Sequence, residues 1–507
     1  MAPRKSPWVW VVTLVLASIA TRAAFFWVGV TNVDEAAHLV GARELLGDGR
    51  LYVDFADNKP PALYFFYALA GLFGAGVGPV RAAFALAWMP ATALAVAAFF
   101  DFDRRGRAAA LALVVALAAA LPSDAHAVNG EHVLLLLLAV AVALGRTPEA
   151  LARPGRAAAI GALVGLAALA KQPAALCLAA PAVVLLFAGE TRARRAGAIA
   201  ALAAGFAFVM AVAYAIFAWR GTAGAFVFWV LRYNLQHVQN PMTVADRAAR
   251  ALKMGSVLIP SLRPLLAGAW LGRRSLDPHR RRWIAALAVT TFLPALLGWR
   301  LFGHYFIPLT FALALGAGPF FARVTEPGAR RAPLAAALVL VVGAIAFTAG
   351  GLVVHDPRRG LADVSDPRYA QIGAALAPQC GGARPLFVWG YAPSIYVASG
   401  LRPASRFVVP IDTITGHLAG NDAFDRGAID TRDRIVPEHW DWLMDDLERN
   451  APEYVVDTAP ANLNGWGRQP MSDFPRLDAF VRASYRIERE VGGAVIWRRP
   501  CAITASR

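Results

Sequence analysis

The sequence has 507 residues, of which 58% are hydrophobic and 17% are charged. The apolar residues fall in blocks of roughly 16 to 25, the length that a helix needs to cross a bilayer, so an ordinary soluble protein is excluded. The formal charge of +16 does not indicate nucleic-acid binding, because the basic residues form short clusters between the apolar blocks. The composition becomes globular from His355 onward. We therefore predict a membrane domain over 1–354 and a soluble α/β domain over 355–507.

About eleven membrane spans are predicted in the first domain. The block from Trp8 to Val30 resembles a secretory signal peptide but is long enough to span, so we expect it to stay uncleaved as the first span. The block 60–74 is too short to cross the bilayer and is predicted to be an interfacial helix on the outer side. The spans are predicted at 8–30, 80–100, 107–122, 132–145, 157–173, 174–189, 196–219, 254–272, 283–299, 304–322 and 332–354.

The charges of the connecting loops orient these spans. The arginine clusters between the spans lie on the same side as Arg4 and Lys5, and the positive-inside rule assigns that side to the cytoplasm. The opposite side holds the C-terminal domain and three outer loops, at 31–80, 123–131 and 220–253. Arg247, Arg250 and Lys253 lie in the third outer loop, on the side where the rule does not expect basic residues. Long translocated loops follow the rule only weakly.

The C-terminal domain alternates predicted strands with predicted helices. Strands are expected at 385–389, 453–457, 485–490 and 494–498, and helices at 368–377 and 439–450. Cys380 and Cys501 lie in this domain and are able to pair if it faces an oxidising compartment. The whole chain has only three cysteines, which argues against a zinc framework.

Two acidic residues follow the first span directly, in the segment VDEAAHL. Asp34 and Glu35 are expected at the membrane surface, next to where a lipid headgroup would lie. The plain alternative is that both simply favour the first turn of a helix predicted over 35–46, where negative charge interacts well with the helix dipole. Asp57 lies further along the same outer loop, where acidic residues are usually only solvated.

Lysine is rare in this chain, with four lysines among the 50 lysine and arginine residues. Lys59 lies directly before the short apolar block, and Lys171 lies at the outer end of the fifth span, where Pro173 breaks the helix. A lysine at such a boundary is either a compact point charge for a ligand or an interfacial residue whose stem snorkels along the bilayer.

Two further pairs of polar residues begin predicted spans. Glu131 and His132 begin the fourth span, and His304 and Tyr305 begin the tenth. Helix capping and interfacial anchoring are the plain explanations of these pairs. However, all of the candidates come from separate outer loop ends and lie at one depth in the predicted topology. This convergence favours a shared site at the outer face of the membrane that the chain spans.

The sequence resembles the GT-C glycosyltransferases that use polyprenyl-phosphate sugars, especially the protein mannosyltransferases and the lipid A aminoarabinose transferases. The resemblance covers most of 31–410, and its most specific part is the acidic dipeptide after the first span together with the KPP turn. It implies a GT-C-like fold. The matching stretches are DEAAHLVGARELLGDGRLYVDFADNKPPALYFF, VNGEH, AKQPAAL, GHYFIPL and FVWGYAPSIYVASGLRPASRF.

The resemblance also implies roles for the candidate residues. Asp34 is expected to be the catalytic carboxylate, Glu35 a supporting residue and Lys59 the contact to the carrier phosphate. Asn58 stands where the aminoarabinose transferases have a glutamate, and Glu131 stands where some relatives have aspartate. The identities of the sugar and the acceptor therefore stay open. Lys171 and His304 are expected to assist at the phosphate. The remaining expected substrate-binding residues are Asp57, Glu131, His132 and Tyr305.

These assignments predict a membrane glycosyltransferase at the extracytoplasmic face of the plasma (inner) membrane. It would transfer a sugar from a polyprenyl-phosphate donor to a glycan, lipid or protein acceptor, with inversion at the anomeric carbon because one base suffices for direct displacement. No cofactor is required and no metal-ligand cluster is evident in the sequence, although a divalent metal is compatible with the reaction. The alternatives are a transporter or flippase for a lipid-linked sugar and a non-catalytic envelope assembly subunit.

Overall fold

The structure, a computed structural model, covers most of the chain. The predicted span at 332–354 and Cys380 lie outside the residues that it describes. The described residues are 7–22, 25–26, 29–119, 126–237, 239, 242–326, 366–379, 385–410, 412–417 and 430–501.

Helices dominate the region before residue 327. A π-helical turn at Phe84–Trp88 joins α4 to α5, so that Val77–Phe99 is one continuous helix. The helices are α1 (Pro7–Arg22), α2 (Val33–Leu46), α3 (Pro61–Gly71), α4 (Val77–Ala83), α5 (Met89–Phe99), α6 (Arg104–Ala119), α7 (Gly130–Leu144), α8 (Pro148–Leu151), α9 (Pro154–Ala168), α10 (Ala179–Leu186), α11 (Arg192–Trp219), α12 (Ala223–Val227), α13 (Tyr233–His237), α14 (Val244–Gly272), α15 (Pro278–Ala295) and α16 (Ile307–Val324).

Four of the described helices are long and apolar enough to cross a membrane. They are Val77–Phe99, Arg192–Trp219, Val244–Ser275 and Gly303–Val324. Each coincides with a predicted span, and shorter apolar helices occupy several of the others. The chain is therefore a multi-pass membrane protein, whereas the total of about eleven spans stays a prediction. The short helix expected at 60–74 is present as α3, which packs against α2.

The segment 220–253, predicted as the third outer loop, contains α12, α13 and the start of α14, and its placement on the outer side stays a prediction. The Thr243 side chain caps α14, because its hydroxyl oxygen accepts the N–H of Asp246 at 3.1 Å. The residues that follow are mostly alanine, arginine and leucine, which favour a helix although their mean hydropathy is low. Arg247, Arg250 and Lys253 consequently lie on the first turns of α14 and not in an irregular loop.

The C-terminal region contains a four-stranded sheet with strand order β1-β2-β4-β3. The β1 and β2 strands are parallel, and the other two pairings are antiparallel. All four strands confirm the predicted ones within one residue at each end, and two helices overlap the predicted helices. Cys501 in this region is disulfide-bonded. The elements are α17 (Pro367–Ala374), β1 (Leu386–Trp389), α18 (Ser394–Ser399), α19 (Pro437–Asn450), β2 (Tyr454–Asp457), α20 (Pro475–Ser484), β3 (Arg486–Val491) and β4 (Ala494–Arg498).

The C-terminal region is docked on the first outer loop. The N–H of Ala56 donates to the carbonyl oxygen of Arg406 at 2.9 Å. Arg402 forms an ion pair with Glu44 of α2 at 2.8 Å. These contacts hold the C-terminal region against the chain immediately before Lys59.

The α9 and α11 helices cross at a very short distance. A Cβ atom at Gly205 of α11 would lie 1.9 Å from the carbonyl oxygen of Ala158 in α9. A Cβ atom at Gly161 of α9 would lie 1.9 Å from the carbonyl oxygen of Leu202. Only glycine permits this approach of two backbones, as is common where membrane helices pack through small residues.

We predict that Gly205→Ala destabilises the protein by about 1–3 kcal/mol, because the added methyl group forces the two helices apart. The matched control is Gly197→Ala on the same helix, where no described atom lies within 4 Å of the Cβ position. Thermal unfolding of the two purified variants in detergent measures the difference. Equal unfolding midpoints would contradict the close crossing.

Candidate active site

A cavity of about 770 Å³ lies between the membrane helices and the C-terminal region. It is lined by the start of α2, by the segment before α3, by the start of α7, by the segment between α9 and α10, and by residues that follow β1. Seven of the nine residues singled out in the sequence line this one cavity. They are Asp34, Asp57, Lys59, Glu131, Lys171, His304 and Tyr305.

Lys59 lies between two carboxylates at the cavity wall. Its Nζ atom is 3.6 Å from Oδ1 of Asp34 and 3.7 Å from Oδ1 of Asp57. It also donates to the side-chain oxygen of Asn58 at 3.1 Å. The Asn58 amide in turn donates to the Asn234 side chain at 3.2 Å. Asn58, which stands where the aminoarabinose transferases have a glutamate, therefore links the lysine to α13.

Local backbone structure fixes both members of the Asp34–Lys59 pair. The side-chain oxygen of Asn32 accepts the N–H of Asp34 at 2.8 Å and so caps α2. Asp34 therefore lies in the first helical turn, where the helix dipole favours negative charge. Pro61 begins α3, which keeps Lys59 just outside that helix. The hydroxyl of Tyr52 donates to the Lys59 carbonyl oxygen at 2.8 Å and holds the backbone there.

A second, largely buried ion pair lines the cavity. Nζ of Lys171 lies 2.8 Å from Oε1 of Glu131. The same ammonium lies 4.9 Å from the centre of the Tyr305 ring, which is a favourable cation–π distance. The ring of His304 packs edge-on against Tyr305, with 4.8 Å between the ring centres. The ends of three predicted spans thus meet at the cavity wall.

Two of the nine residues do not line the cavity. Glu35 is fully buried and accepts two hydrogen bonds from Arg81, at 2.9 and 2.5 Å. Arg81 also donates to the carbonyl oxygen of Phe25 at 2.7 Å, so this pair holds the chain that leads into α2. The Nδ1 atom of His132 accepts the N–H of Asn129 at 3.2 Å and caps α7. Glu35 and His132 therefore support the backbone beside the site, and neither has a surface in the cavity.

Neighbouring charges control protonation around Lys59. Burial alone raises the pKa of Asp34, but Lys59, with smaller effects from His38 and His304, holds that pKa well below its usual range. Burial lowers the pKa of Lys59, whereas Asp34 and Asp57 raise it to a net value above the usual one. Both side chains of the pair are therefore charged at neutral pH. In the described part of the chain, no group of three or more His, Cys, Asp or Glu residues is placed to hold a metal ion.

Sequence reasoning missed several residues of this site. His38 lies one helical turn after Asp34 and is buried, and burial lowers its pKa to about 4. Its spacing of four residues from Asp34 on a predicted helix was a usable signal. Tyr233, Tyr391 and Asp412 line the cavity, whereas His38 lies behind Asp34 and has no surface there. No local pattern marks these three, because they reach the site only when distant segments pack together.

Known structures identify the fold. No family model matches the sequence, and no curated protein matches it significantly. The structure of ArnT from Cupriavidus metallidurans bound to undecaprenyl phosphate matches with a TM-score of 0.58 at 16% identity, over 99% of this chain and 100% of that chain. The apo structure of the same ArnT gives a TM-score of 0.55 at 16% identity over the same shares. The chain has a GT-C fold.

A second relative in fold is the archaeal oligosaccharyltransferase AglB from Archaeoglobus fulgidus, in complex with an inhibitory peptide and a dolichol-phosphate. It matches with a TM-score of 0.50 at 12% identity, over 97% of this chain and 74% of that chain. The GT-C resemblance in the sequence is thus confirmed at the level of the fold. Because one fold supports many activities, the residues of the cavity and not the fold alone determine the function.

We predict that Glu35→Gln lowers the free energy of unfolding by about 3–5 kcal/mol, because it removes the charge that faces buried Arg81. The control is Glu326→Gln, whose partner Arg104 is half exposed and whose ion pair contributes only about 0–1 kcal/mol. Thermal unfolding of both variants in the same detergent measures the effect. The prediction is wrong if the Glu35 variant unfolds at the temperature of the Glu326 variant.

Proposed function

We propose that this chain is a membrane glycosyltransferase that moves a sugar from a polyprenyl-phosphate donor to a hydroxyl group of a glycan, lipid or protein acceptor. One observation carries the proposal: within a GT-C fold, Asp34 and Lys59 contact each other at the wall of one cavity. A carboxylate suits proton removal from an acceptor hydroxyl, and a cation suits a phosphate leaving group. The ArnT and AglB structures hold undecaprenyl phosphate and dolichol-phosphate, which supports a polyprenyl-phosphate carrier here.

Lys59 is the proposed main contact of the donor phosphate. Lys171 and His304 line the same cavity and are proposed to stabilise the remaining charge on the phosphate. Such interactions are stronger in a poorly hydrated cavity than in bulk water. They are also positioned in advance, so little reorganisation is needed as charge develops on the leaving group.

Binding of the donor is proposed to activate Asp34 as a base. Burial raises the pKa of Asp34, but the charge of Lys59 keeps it low, and a carboxylate of low pKa is a weak proton acceptor. A phosphate beside Lys59 offsets that positive charge, so the pKa of Asp34 rises. In this scheme Asp34 accepts a proton readily only when the donor is bound.

The proposed reaction is a single displacement. Asp34 takes the proton of the acceptor hydroxyl while the acceptor oxygen forms a bond to C1 of the sugar. The bond from C1 to the phosphate oxygen breaks, and its electron pair leaves on the polyprenyl phosphate. The donor carries its own leaving group, so the scheme needs no cofactor. Asp57, Glu131 and Tyr305 are proposed to bind polar groups of the two substrates.

We also propose that the cavity faces the extracytoplasmic side of the plasma membrane. This topology comes from the arginine clusters and the positive-inside rule, with about eleven spans in 1–354. The region 355–507 is proposed to be an extracytoplasmic domain. The disulfide of Cys501 supports this placement, because disulfides persist in oxidising compartments.

We predict that Asp34→Asn lowers kcat by about 10²- to 10⁴-fold, the usual contribution of a general base, and leaves donor binding largely unchanged. Lys59→Ala should instead weaken donor binding by about 10- to 100-fold, as expected when a charged contact is lost. The assay uses purified protein in lipid with polyprenyl-phosphate sugars and acceptor, and binding is measured directly.

The matched control for Lys59→Ala is Lys253→Ala, since Lys253 is exposed and does not line the cavity. It should behave as the unaltered protein. Normal turnover in both the Asp34 and the Lys59 variants would show that the site is assigned wrongly.

We predict that the product has the anomeric configuration opposite to that of the donor. One carboxylate placed as a base gives a direct displacement, and a single displacement inverts the reacting carbon. Proton NMR of the product, formed from a donor of known configuration, measures this outcome. A product with the donor's configuration would require a covalent intermediate and would contradict the single displacement.

A further inference from the structure

A second polar cluster lines the cavity where the C-terminal region covers it. The hydroxyl of Tyr233 donates to Oδ1 of Asp412 at 2.5 Å, and the N–H of Thr413 donates to the same oxygen at 3.0 Å. Burial and Asp412 raise the pKa of the Tyr233 hydroxyl, and Arg300 opposes that effect. The side chains of Tyr233, Asp412, Thr413 and Arg300 are largely buried, and all of them line the cavity.

Tyr391 lines the same cavity as this cluster and the Asp34–Lys59 pair. It comes two residues after β1, at the carboxyl end of a strand whose neighbour β2 is parallel, and such strand ends often contact ligands. Burial raises the pKa of its hydroxyl, Asp34 raises it further, and Lys59 and Arg300 lower it. Charges from both clusters therefore act on the same hydroxyl.

Aromatic rings form the wall beside the second cluster. The ring of Trp229 lies 5.2 Å from that of Tyr233 and 6.4 Å from that of Phe407, measured between ring centres. Aromatic faces pack well on carbon-rich surfaces, and carboxylates and phenols form hydrogen bonds with hydroxyl groups. Asp412 disfavours a phosphate here, although Arg300 also lines this wall, so a phosphate suits it less well than the wall that carries both Lys59 and Lys171. A lipid chain does not need a buried carboxylate, whose burial is costly.

We propose that Asp412, Tyr233 and Tyr391 form a subsite for the hydroxyl groups of a sugar ring, which belongs either to the donor or to a glycan acceptor. The subsite rests on the proposed function and adds a division of roles to it. The membrane region holds the phosphate and the base, and the C-terminal region selects the sugar ring. Asp412 and Tyr391 contact the ring, and Tyr233 orients the Asp412 carboxylate.

A purely structural role of Asp412 is the competing explanation. Asp412 begins a tight turn, in which the N–H of Gly416 donates to the Asp412 carbonyl oxygen at 2.6 Å. Asp412→Asn removes the charge but keeps an oxygen that accepts from Tyr233. Tyr391→Phe removes one hydroxyl and keeps the ring in place. Neither variant leaves a packed position empty, so both are expected to fold.

The test measures the steady-state kinetics of both variants with a panel of polyprenyl-phosphate pentoses and hexoses and an acceptor. We expect the KM of one substrate to rise about tenfold or more, because a hydrogen bond to a charged or buried polar group is lost. We expect kcat to change by less than about threefold, corresponding to under 0.7 kcal/mol. A raised donor KM assigns the ring to the donor, and a raised acceptor KM assigns it to a glycan acceptor.

Two controls separate the subsite from other roles. Affinity for polyprenyl phosphate without sugar, measured directly, should be the same in the variants and the unaltered protein. Asp441→Asn, at an exposed position paired with Arg476, should leave both KM values unchanged. Unchanged KM values in both cavity variants would overturn the subsite, with or without a lower unfolding temperature. An equal loss of affinity for the sugar-free carrier would overturn it as well.

Failure of the proposed function has a different signature. In that case the unaltered protein transfers no sugar from any donor of the panel. The subsite is then tested by binding alone, through the affinity of the unaltered protein for each polyprenyl-phosphate sugar relative to the sugar-free carrier. A preference that Asp412→Asn removes supports the subsite, and the absence of any preference overturns it.

Discussion

Lys59 is shared between Asp34 and Asp57, at 3.6 and 3.7 Å, and this pairing constrains the shape of the whole first outer loop. A buried charge is costly unless an opposite charge lies beside it. The start of α2 and the turn before α3 must therefore stay together in the folded protein. The packing nearby is correspondingly tight, since a Cβ atom at Gly41 would lie only 2.7 Å from the rings of Phe55 and Tyr64.

The Lys171–Glu131 pair repeats the same arrangement at another part of the cavity wall. Two lysines, each held by carboxylates, give the cavity strong local charge with little net charge. A phosphate that enters such a site exchanges partners with carboxylates that are already in place. In the proposed reaction the lysines would already be in position before the phosphate enters, which favours electrostatic stabilisation of a leaving group.

Local signals in the sequence predicted much of the fold. The four strands of the C-terminal sheet and the helix after the first span follow from short patterns of apolar residues and turn signals. The predicted topology places residues such as Lys59 and Lys171 at the same depth in the membrane. It therefore predicted that they share one site, although they are far apart in sequence. The predicted depth in the membrane did not identify Tyr391 and Asp412. These residues reach the cavity only because the C-terminal region packs against the membrane helices. Hydropathy did not predict the helical start of α14, because the first turns of this helix are polar.

Helix geometry explains why Glu35 behaves differently from its neighbour Asp34. Adjacent residues on a helix point in different directions, whereas residues four apart share a face. Asp34 therefore faces the cavity and Glu35 faces Arg81. His38, four residues after Asp34, lies on the same side of α2 but is buried behind Asp34 and does not line the cavity.

The state of His38 decides how strongly a bound donor can affect Asp34. Burial lowers the pKa of His38 to about 4, so the ring is neutral at physiological pH. The charge of Lys171 is already offset by Glu131 at 2.8 Å. Lys59 has the largest charge effect on the pKa of Asp34 and His304 a smaller one, so a donor phosphate beside Lys59 would make Asp34 more basic. A protonated His38 would instead keep Asp34 a weak base after the donor had bound.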